Sequence, residues 1–315
     1  MIRLALVADG TEQKALLQAL YGVPGAELRY LIGEKGDSPI GEARAATLEA
    51  ALDDAAVDGV LFGGGPRPQA VEQAIRAGKA VWVPRGLLWD RRRLEHLGGL
   101  LEAQPVPLFV PFLRRFDEVL HRLKGELVAG AIGRVESVAI TTREPRLSPA
   151  REVLPESMAD DLDLLRWLLG EEPAEVQAVA GTPLDRPLEA GFDVVLVNLR
   201  TRSGRLGQLS HHTRTILDVE QRVEAVGTRG GLLTQSPAAD PLTIWLEDGA
   251  HQERHHGQVE VRTAAARRAA MAHFVQAVSA GAPLLTSLFD VRQGQLLAEA
   301  TLESLRSRKI IRISR

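Results

Sequence analysis

Two carboxylates stand side by side in the segment SMADDLDLLRWLLG, residues 157–170, and either could move a proton. A carboxylate works as a base near neutrality only where burial or a neighbour raises its pKa, so Asp160 and Asp161 need shelter to do chemistry. Asp160 has a second explanation, because Ser157 followed three residues later by an acid has the form of a capping box. Asp161 points about 100° further round a helix, toward Leu164 and Leu165, where it could bind substrate or hold one domain to another. A different kind of chemistry is suggested by Gly63, Gly64 and Gly65 with Pro66, which close the apolar run Val57–Phe62. Glycines at the carboxyl end of an inner parallel strand let a ligand pack against backbone, although a tight turn without a ligand reads the same way. His211 and His212 are adjacent in a strand-like run, so alternation sends them to opposite faces and at most one can serve a site. His251, His255 and His256 have spacing that could bind a metal, but no carboxylate or thiol pattern supports them, and the stretch reads as a loop with no metal site. Arg143 and Arg146 could receive an acidic substrate. Asn198, the sole asparagine, lies within an apolar strand and reads as completing a hydrogen bond there.

These residues need elements to hold them. The acidic pair opens a helix that carries its own boundaries: acids favour the first turn, Gly170 and Pro173 end it, and Leu162, Leu165 and Leu169 recur at helical spacing with Leu164 and Leu168 widening the stripe. Upstream, Ile2–Val7 reads as a strand buried on both faces of a parallel sheet, and Gln13–Leu20 as the helix that follows. The turn between them is where a dinucleotide-binding fold places G-x-G-x-x-G, and here the matching positions are Ala8, Gly10 and Gln13, with Thr11 next to the one glycine kept. Glu27–Ile32 is a second strand, and Glu34 just beyond it is placed to accept hydrogen bonds from a ribose or simply to face water. Glu42–Leu52 reads as a helix, Val57–Phe62 as a strand, Pro68–Ala77 as a helix and Lys79–Val83 as a strand ending at Pro84, Arg85 and Gly86. From Gly133 the pattern changes to six to eight strands in succession, among them Gln258–Arg262, with hairpin-length turns such as residues 202–204. Helices over Ala264–Ala280 and Asp290–Ser307 and a strand Ile310–Ile313 complete the chain. Residues 1–115 therefore read as an α/β domain with a parallel sheet, and 116–315 as an α+β domain with an open, mainly antiparallel sheet.

Composition excludes several classes. Of 315 residues 45% are hydrophobic, ample for real cores, and 38 Lys plus Arg against 41 Asp plus Glu leave a charge of −3, so no basic excess recommends nucleic acid or an anionic membrane. The absence of cysteine removes disulfides, thiolate metal sites and cysteine nucleophiles together. The start MIRLALVADG is broken by Asp9 and Gly10 too soon for a signal peptide, and no apolar run approaches the ~18 residues of a membrane span, so a cytoplasmic protein is expected.

At DDLDLLRWLLG the chain resembles the H-D-x-D-L-L-R-W-L-L-G segment of the glucose-fructose oxidoreductase, inositol dehydrogenase and rhizopine-catabolism (Gfo/Idh/MocA) family. DGVLFGGGPRPQAVEQAIRAGKAVWVPRG is similar to that family's D-A-V-x-I-A-T-P-P, helix, A-G-K-H-V-x-x-E-K-P, and RRFD, LKGELVAGAIGRVESV and MAHFVQAVSAGAP match further family segments. The resemblance implies a Rossmann-like domain followed by an α+β domain with a cleft between, and a dimer or tetramer associating through the second sheet. It implies NAD or NADP held at Ala8, Gly10, Thr11, Glu34, Gly63, Gly64, Gly65 and Pro66, and oxidation or reduction of a small polar, sugar-like or cyclic substrate at its alcohol or carbonyl group. The family's proton-transfer His is replaced by Asp160 and its Lys by Arg85, which keeps the charge to orient substrate but cannot exchange a proton near neutrality. A protein that has lost hydride transfer and serves in binding or assembly is the alternative that these replacements leave open.

Overall fold

The computed structural model describes all residues except 34–43, 46, 65–67, 85–90, 146–155, 182–192, 216–219, 236–241, 247–248, 253–258 and 314–315. The chain divides into two units, Met1–Phe116 with Thr263–Arg292, and Asp117–Arg262 with Gln293–Arg315. The first unit thus takes in Thr263–Arg292, a segment that chain order alone would give to the second.

The first unit runs β1 (Ile2–Val7), α1 (Gly10–Leu20), β2 (Ala26–Ile32), β3 (Arg44–Ala45), α2 (Leu48–Asp53), β4 (Gly59–Phe62), α3 (Pro68–Arg76), β5 (Ala80–Trp82), α4 (Arg91–Ala103) and β6 (Leu108–Phe109), with a 3-10 turn at Leu113–Phe116. Its six strands lie in the order β3-β2-β1-β4-β5-β6, every neighbouring pair parallel, which is the doubly wound arrangement. The apolar run of β1 is buried on both sides because its residues alternate between two cores. Leu4, Leu6 and Ala8 pack with Leu16 and Leu17 of α1 and with Met271 and Phe274, whereas Ala5 packs with Val60, Phe62, Val71 and Leu94. Met271 and Phe274 belong to α7 (Val259–Ala280), numbered here ahead of the strands between, and their burial on this sheet is why Thr263–Arg292 joins the first unit.

One expected element differs in this unit. The helix expected over Glu42–Leu52 begins only at Leu48, where Thr47 caps it by accepting from the Ala50 N–H at 3.2 Å; Arg44–Ala45 instead pairs with Tyr30 and Leu31 as β3. Alanine content favoured helix there, but the cap sets the start. Just beyond α2, the Asp54 carboxylate ties the sheet edge together. It accepts from the Ala56 N–H at 2.8 Å, from Arg29 Nε at 2.6 Å and from the Tyr30 hydroxyl at 2.9 Å, while buried Lys79 donates to the Asp54 and Val57 carbonyls.

The second unit opens with α5 (Glu118–Val128), whose cap Asp117 accepts from the Val119 and Leu120 N–H groups and is held in turn by Arg262. Then come β7 (Val135–Pro145), α6 (Glu156–Leu169), β8 (Pro173–Gly181), β9 (Val194–Thr201), β10 (Leu206–Thr215), β11 (Glu220–Gly227), β12 (Gly230–Gln235), β13 (Leu242–Leu246) and β14 (Gly249–Gln252). After α7, α8 (Leu288–Ser307) spans the boundary at residues 292–293 and β15 (Ile311–Arg312) ends the described chain. The sheet has nine strands in the order β14-β13-β12-β11-β7-β10-β9-β8-β15, antiparallel throughout except for the parallel pair β7–β10 at its centre. It is larger than expected because β14, which includes His251, had read as loop and because β15 joins its edge, although Gln258–Arg262 drops out. Gln258–Arg262, expected as a strand, is the start of α7 from Val259: its alternation is overridden by the alanine-rich helix that it leads into. Asn198 lies exposed on the sheet's outer face, in register with Gln177 and Gln208 and not in the apolar interior.

Because its backbone and side-chain donors hold the Asp54 carboxyl down from 3.8 to about 2, this group favours the folded state above pH ~4 and loses that contribution as pH falls toward 2. Asp54→Asn should therefore melt below the parent protein at neutral pH, with the gap narrowing between pH 4 and 2 in a calorimetric series.

Candidate active site

In the first unit the candidate site is made of backbone. Strand β1 ends at Val7, and Gly10 enters α1 at φ +58° after Asp9, whose side chain makes no cap bond. The first N–H groups of a helix lack intrahelical acceptors, so the turn at Gly10 and Thr11 offers donors to an anion. Glu12, exposed in the same turn, adds an opposing charge. At the neighbouring strand end, Gly63 donates its N–H to Val7 O at 2.9 Å, and Gly64 follows at φ +74°. A Cβ added to Gly10 or Gly64 would meet nothing within 4 Å, so both glycines border open space. A Cβ on Gly63, in contrast, would lie 2.7 Å from Leu16 Cδ1 and 2.8 Å from Ala8 Cβ.

This contrast explains the broken fingerprint. In G-x-G-x-x-G the third glycine lets helix and strand pack closely. Gln13 occupies that position here and is buried on the same α1 stripe as Leu16 and Leu17. Close approach is supplied by the small pair Ala8 and Gly63, on the other side of the contact. The residues present fit a dinucleotide's phosphates: a helix N-terminus, a glycine of positive φ at each of two adjacent strand ends, and, among the described residues, no side chain that a Cβ on Gly10 or Gly64 would meet within 4 Å. Glu34, Gly65, Pro66 and Arg85 lie outside the described residues, as do Lys35, Arg67 and Arg146.

In the second unit the acidic pair sits on α6, which starts at Glu156, so Ser157 lies inside the helix and Asp160 is beyond the capping position expected for it. Asp160 is half-buried and Asp161 wholly buried. One Asp161 oxygen is 2.9 Å from His211 Nδ1, and the other accepts from Gln221 Nε2 at 2.9 Å. The same Gln221 amide donates to Thr142 Oγ1 at 3.2 Å. His211 and Gln221 are each in register with Thr142, so one row across β10, β7 and β11 meets the helix at Asp161. With both oxygens taken and no exposed surface, Asp161 reaches a ligand only through its neighbours.

The remaining candidates separate. His211 has no exposed surface, and His212 lies on the opposite face, 2.9 Å from Ser210 Oγ. Burial, and then the charges of Arg143 and His211, push the His212 imidazole below its ordinary pKa. Arg143 shares this outer face, in register with His212, and not the face that carries α6. Among the described residues no group of three or more His, Asp or Glu side chains could hold a metal, and no helix is long and apolar enough to cross a membrane. Reading the sequence missed Thr142 and Gln221. The signal was there: each continues the inward-facing parity of its strand, Val138-Ile140-Thr142 and Gln221-Val223-Ala225, where only apolar residues were sought.

Residues 159–313 match the family described as "Oxidoreductase family, C-terminal alpha/beta domain". Over 99% of its length the chain is 28% identical to the inositol 2-dehydrogenase of Rhizobium meliloti (strain 1021), covering 92% of that protein. It is 25% identical to the myo-inositol 2-dehydrogenase of Thermotoga maritima over 83% of the chain and 81% of that relative. The crystal structure of scyllo-inositol dehydrogenase from Lactobacillus casei with bound NAD(H) and scyllo-inositol superposes with a TM-score of 0.81, covering 99% of each chain, and at 19% identity this likeness speaks for the fold alone.

The seating of α1 predicts that Gly63→Ala is costly, because Ala8 cannot withdraw its Cβ. Unfolding in urea should show a loss of about 1–3 kcal/mol, the range for overpacking a filled core.

Proposed function

The chain belongs to the Gfo/Idh/MocA family of oxidoreductases, and from that premise we propose that it oxidises a ring hydroxyl of a cyclic polyol of the inositol type, reversibly, with NAD or NADP. The observation that carries this reading is the near full-length similarity to an inositol 2-dehydrogenase, supported by the positive-φ glycines Gly10 and Gly64 that follow β1 and β4. The dehydrogenases among the relatives do not favour a protein retained for binding or assembly alone.

In this reading Ala8, Gly10, Thr11, Gly63 and Gly64 hold the nucleotide through backbone, with Gly65, Pro66 and Glu34 completing its site. Bound there, nicotinamide supplies the hydride acceptor for the carbinol carbon. Asp160 accepts the hydroxyl proton as the C–H bond breaks and returns it in the reverse direction, the role that the family gives to His. Arg85 orients the substrate through a fixed positive charge and leaves proton transfer to Asp160. Fluorescence titration should show binding of NADH or NADPH, and absorbance at ~340 nm should report myo-inositol or scyllo-inositol oxidation. Asp160→Asn should lower kcat by about 10²-fold or more, the usual span for a general base, with cofactor affinity unchanged. No binding of either cofactor at millimolar concentration overturns the reading.

We further read the protein as a cytoplasmic homo-oligomer that associates through the outer face of the second sheet. Val179 and Leu196 are exposed neighbours there, and Leu206 and Val226 flank Ser137 in one row. Leu206→Lys with Val226→Lys should shift the mass measured by light scattering to that of the monomer.

A further inference from the structure

We propose that Asp161, His211 and Gln221 form a positioning unit that fixes the rotation of α6 about its own axis and so the bearing of Asp160. The proposal rests on Asp160 being the proton-transfer group, and its structural half can be tested without that reading.

Asp161 occupies the apolar stripe of α6. Counting on by three, four and seven residues reaches Leu164, Leu165 and Leu168, which are all buried with it. A leucine at position 161 would continue the stripe, and replacing a buried polar cluster by apolar groups of similar volume is often neutral or stabilising. The polar cluster therefore supplies something other than burial. Apolar contacts are non-directional, and a helix seated only on leucines can turn by several degrees at little cost. A carboxylate bound at both oxygens cannot. His211 Nδ1 holds one oxygen and Gln221 Nε2 the other, each at 2.9 Å, from strands on either side of β7. Thr142 on β7 lies between them in register and fixes Gln221 at 3.2 Å. Successive residues on a helix are about 100° apart, so setting the direction of Asp161 sets that of Asp160.

Further polar contacts of α6 run within the helix or to its far end. The neighbouring buried acid, Asp163, bonds Arg166 at 2.8 Å within the same helix, and Arg166 turns to Glu172 in the following loop. Lys124 and Arg205 hold the last carbonyls, those of Trp167 and Leu169, and so anchor the far end of the helix. The Asp161 bonds join its first half to the sheet from two sides.

The test is His211→Ala, with His211→Asn and Gln221→Leu, in the full-length protein. An asparagine amide nitrogen can take the place of imidazole Nδ1 and donate to Asp161. Hydrogen exchange at the amides of residues 158–165 should quicken by about tenfold or more in His211→Ala, with α5 unchanged, and should recover in His211→Asn. In the same variants kcat for inositol oxidation should fall about tenfold or more with the KM for NAD unchanged, again with recovery in His211→Asn. If His211→Ala does not fold, Gln221→Leu carries the same two measurements. Exchange that rises equally across the unit while kcat holds at temperatures below melting means ordinary core support and overturns the proposal. Unchanged exchange in a folded variant overturns it also. Failure of the wild-type protein to turn over inositol would remove the reading of Asp160 and leave the exchange result to decide the positioning.

Discussion

A carboxylate taken fully out of water must be met by donors at both oxygens, and Asp161 is so met where α6 crosses the central strands of the nine-stranded sheet. Leaving a buried acceptor without its donor typically costs about 1–3 kcal/mol, and more for a charged group, so the helix cannot shift without a penalty. Its far end is fixed by the same physics in reverse. The last-turn carbonyls of Trp167 and Leu169 accept from Lys124 and Arg205, both cations where the helix dipole favours them. Gly170, at φ +67°, ends the helix, and a Cβ there would lie 3.5 and 3.6 Å from these two cationic side chains. Between the two anchors the leucines supply most of the favourable free energy and none of the direction.

The candidate site of the first unit is built on different groups. Its candidate site consists of N–H donors and empty space, and what the sequence must provide is small residues in the right contacts. Ala8 and Gly63 share the close-packing task that one glycine performs in the usual fingerprint, while Gly10 and Gly64 keep positive-φ turns clear of side chains. Glycine patterns stand for backbone conformation and approach distance, and those requirements can be redistributed over residues that are far apart in sequence.

That redistribution marks the limit of what the sequence disclosed. Long periodic segments were legible: β1, α6, α8 and most of the second sheet follow from apolar spacing, and the family resemblance carried the fold class. Short elements were not, because two residues such as Arg44–Ala45 hold no period, and alternation in Val259–Arg262 loses to the helix nucleated beyond it. In the candidate site, the acidic pair and His211 were visible as residue types, but their partnership is set by register. Thr142 and Gln221 join Asp161 only because β7 lies between β10 and β11, one pairing parallel and the other antiparallel, and strand order of that kind leaves no local trace in the chain.

Placing a carboxylate where the family has an imidazole alters the charge balance of the reaction. An imidazole base begins neutral and ends charged; a carboxylate begins charged and ends neutral. Two adjacent acids on one helix would ordinarily oppose each other's ionisation. At this site the second of them is sequestered: Asp161 faces into the sheet with His211 and Gln221 as donors, while Asp160, one residue back, is half-buried on a different bearing. The donors around Asp161 thus meet both its oxygens and offset its charge beside Asp160. Under the proposed function, a guanidinium at position 85 in place of lysine would leave proton transfer to Asp160.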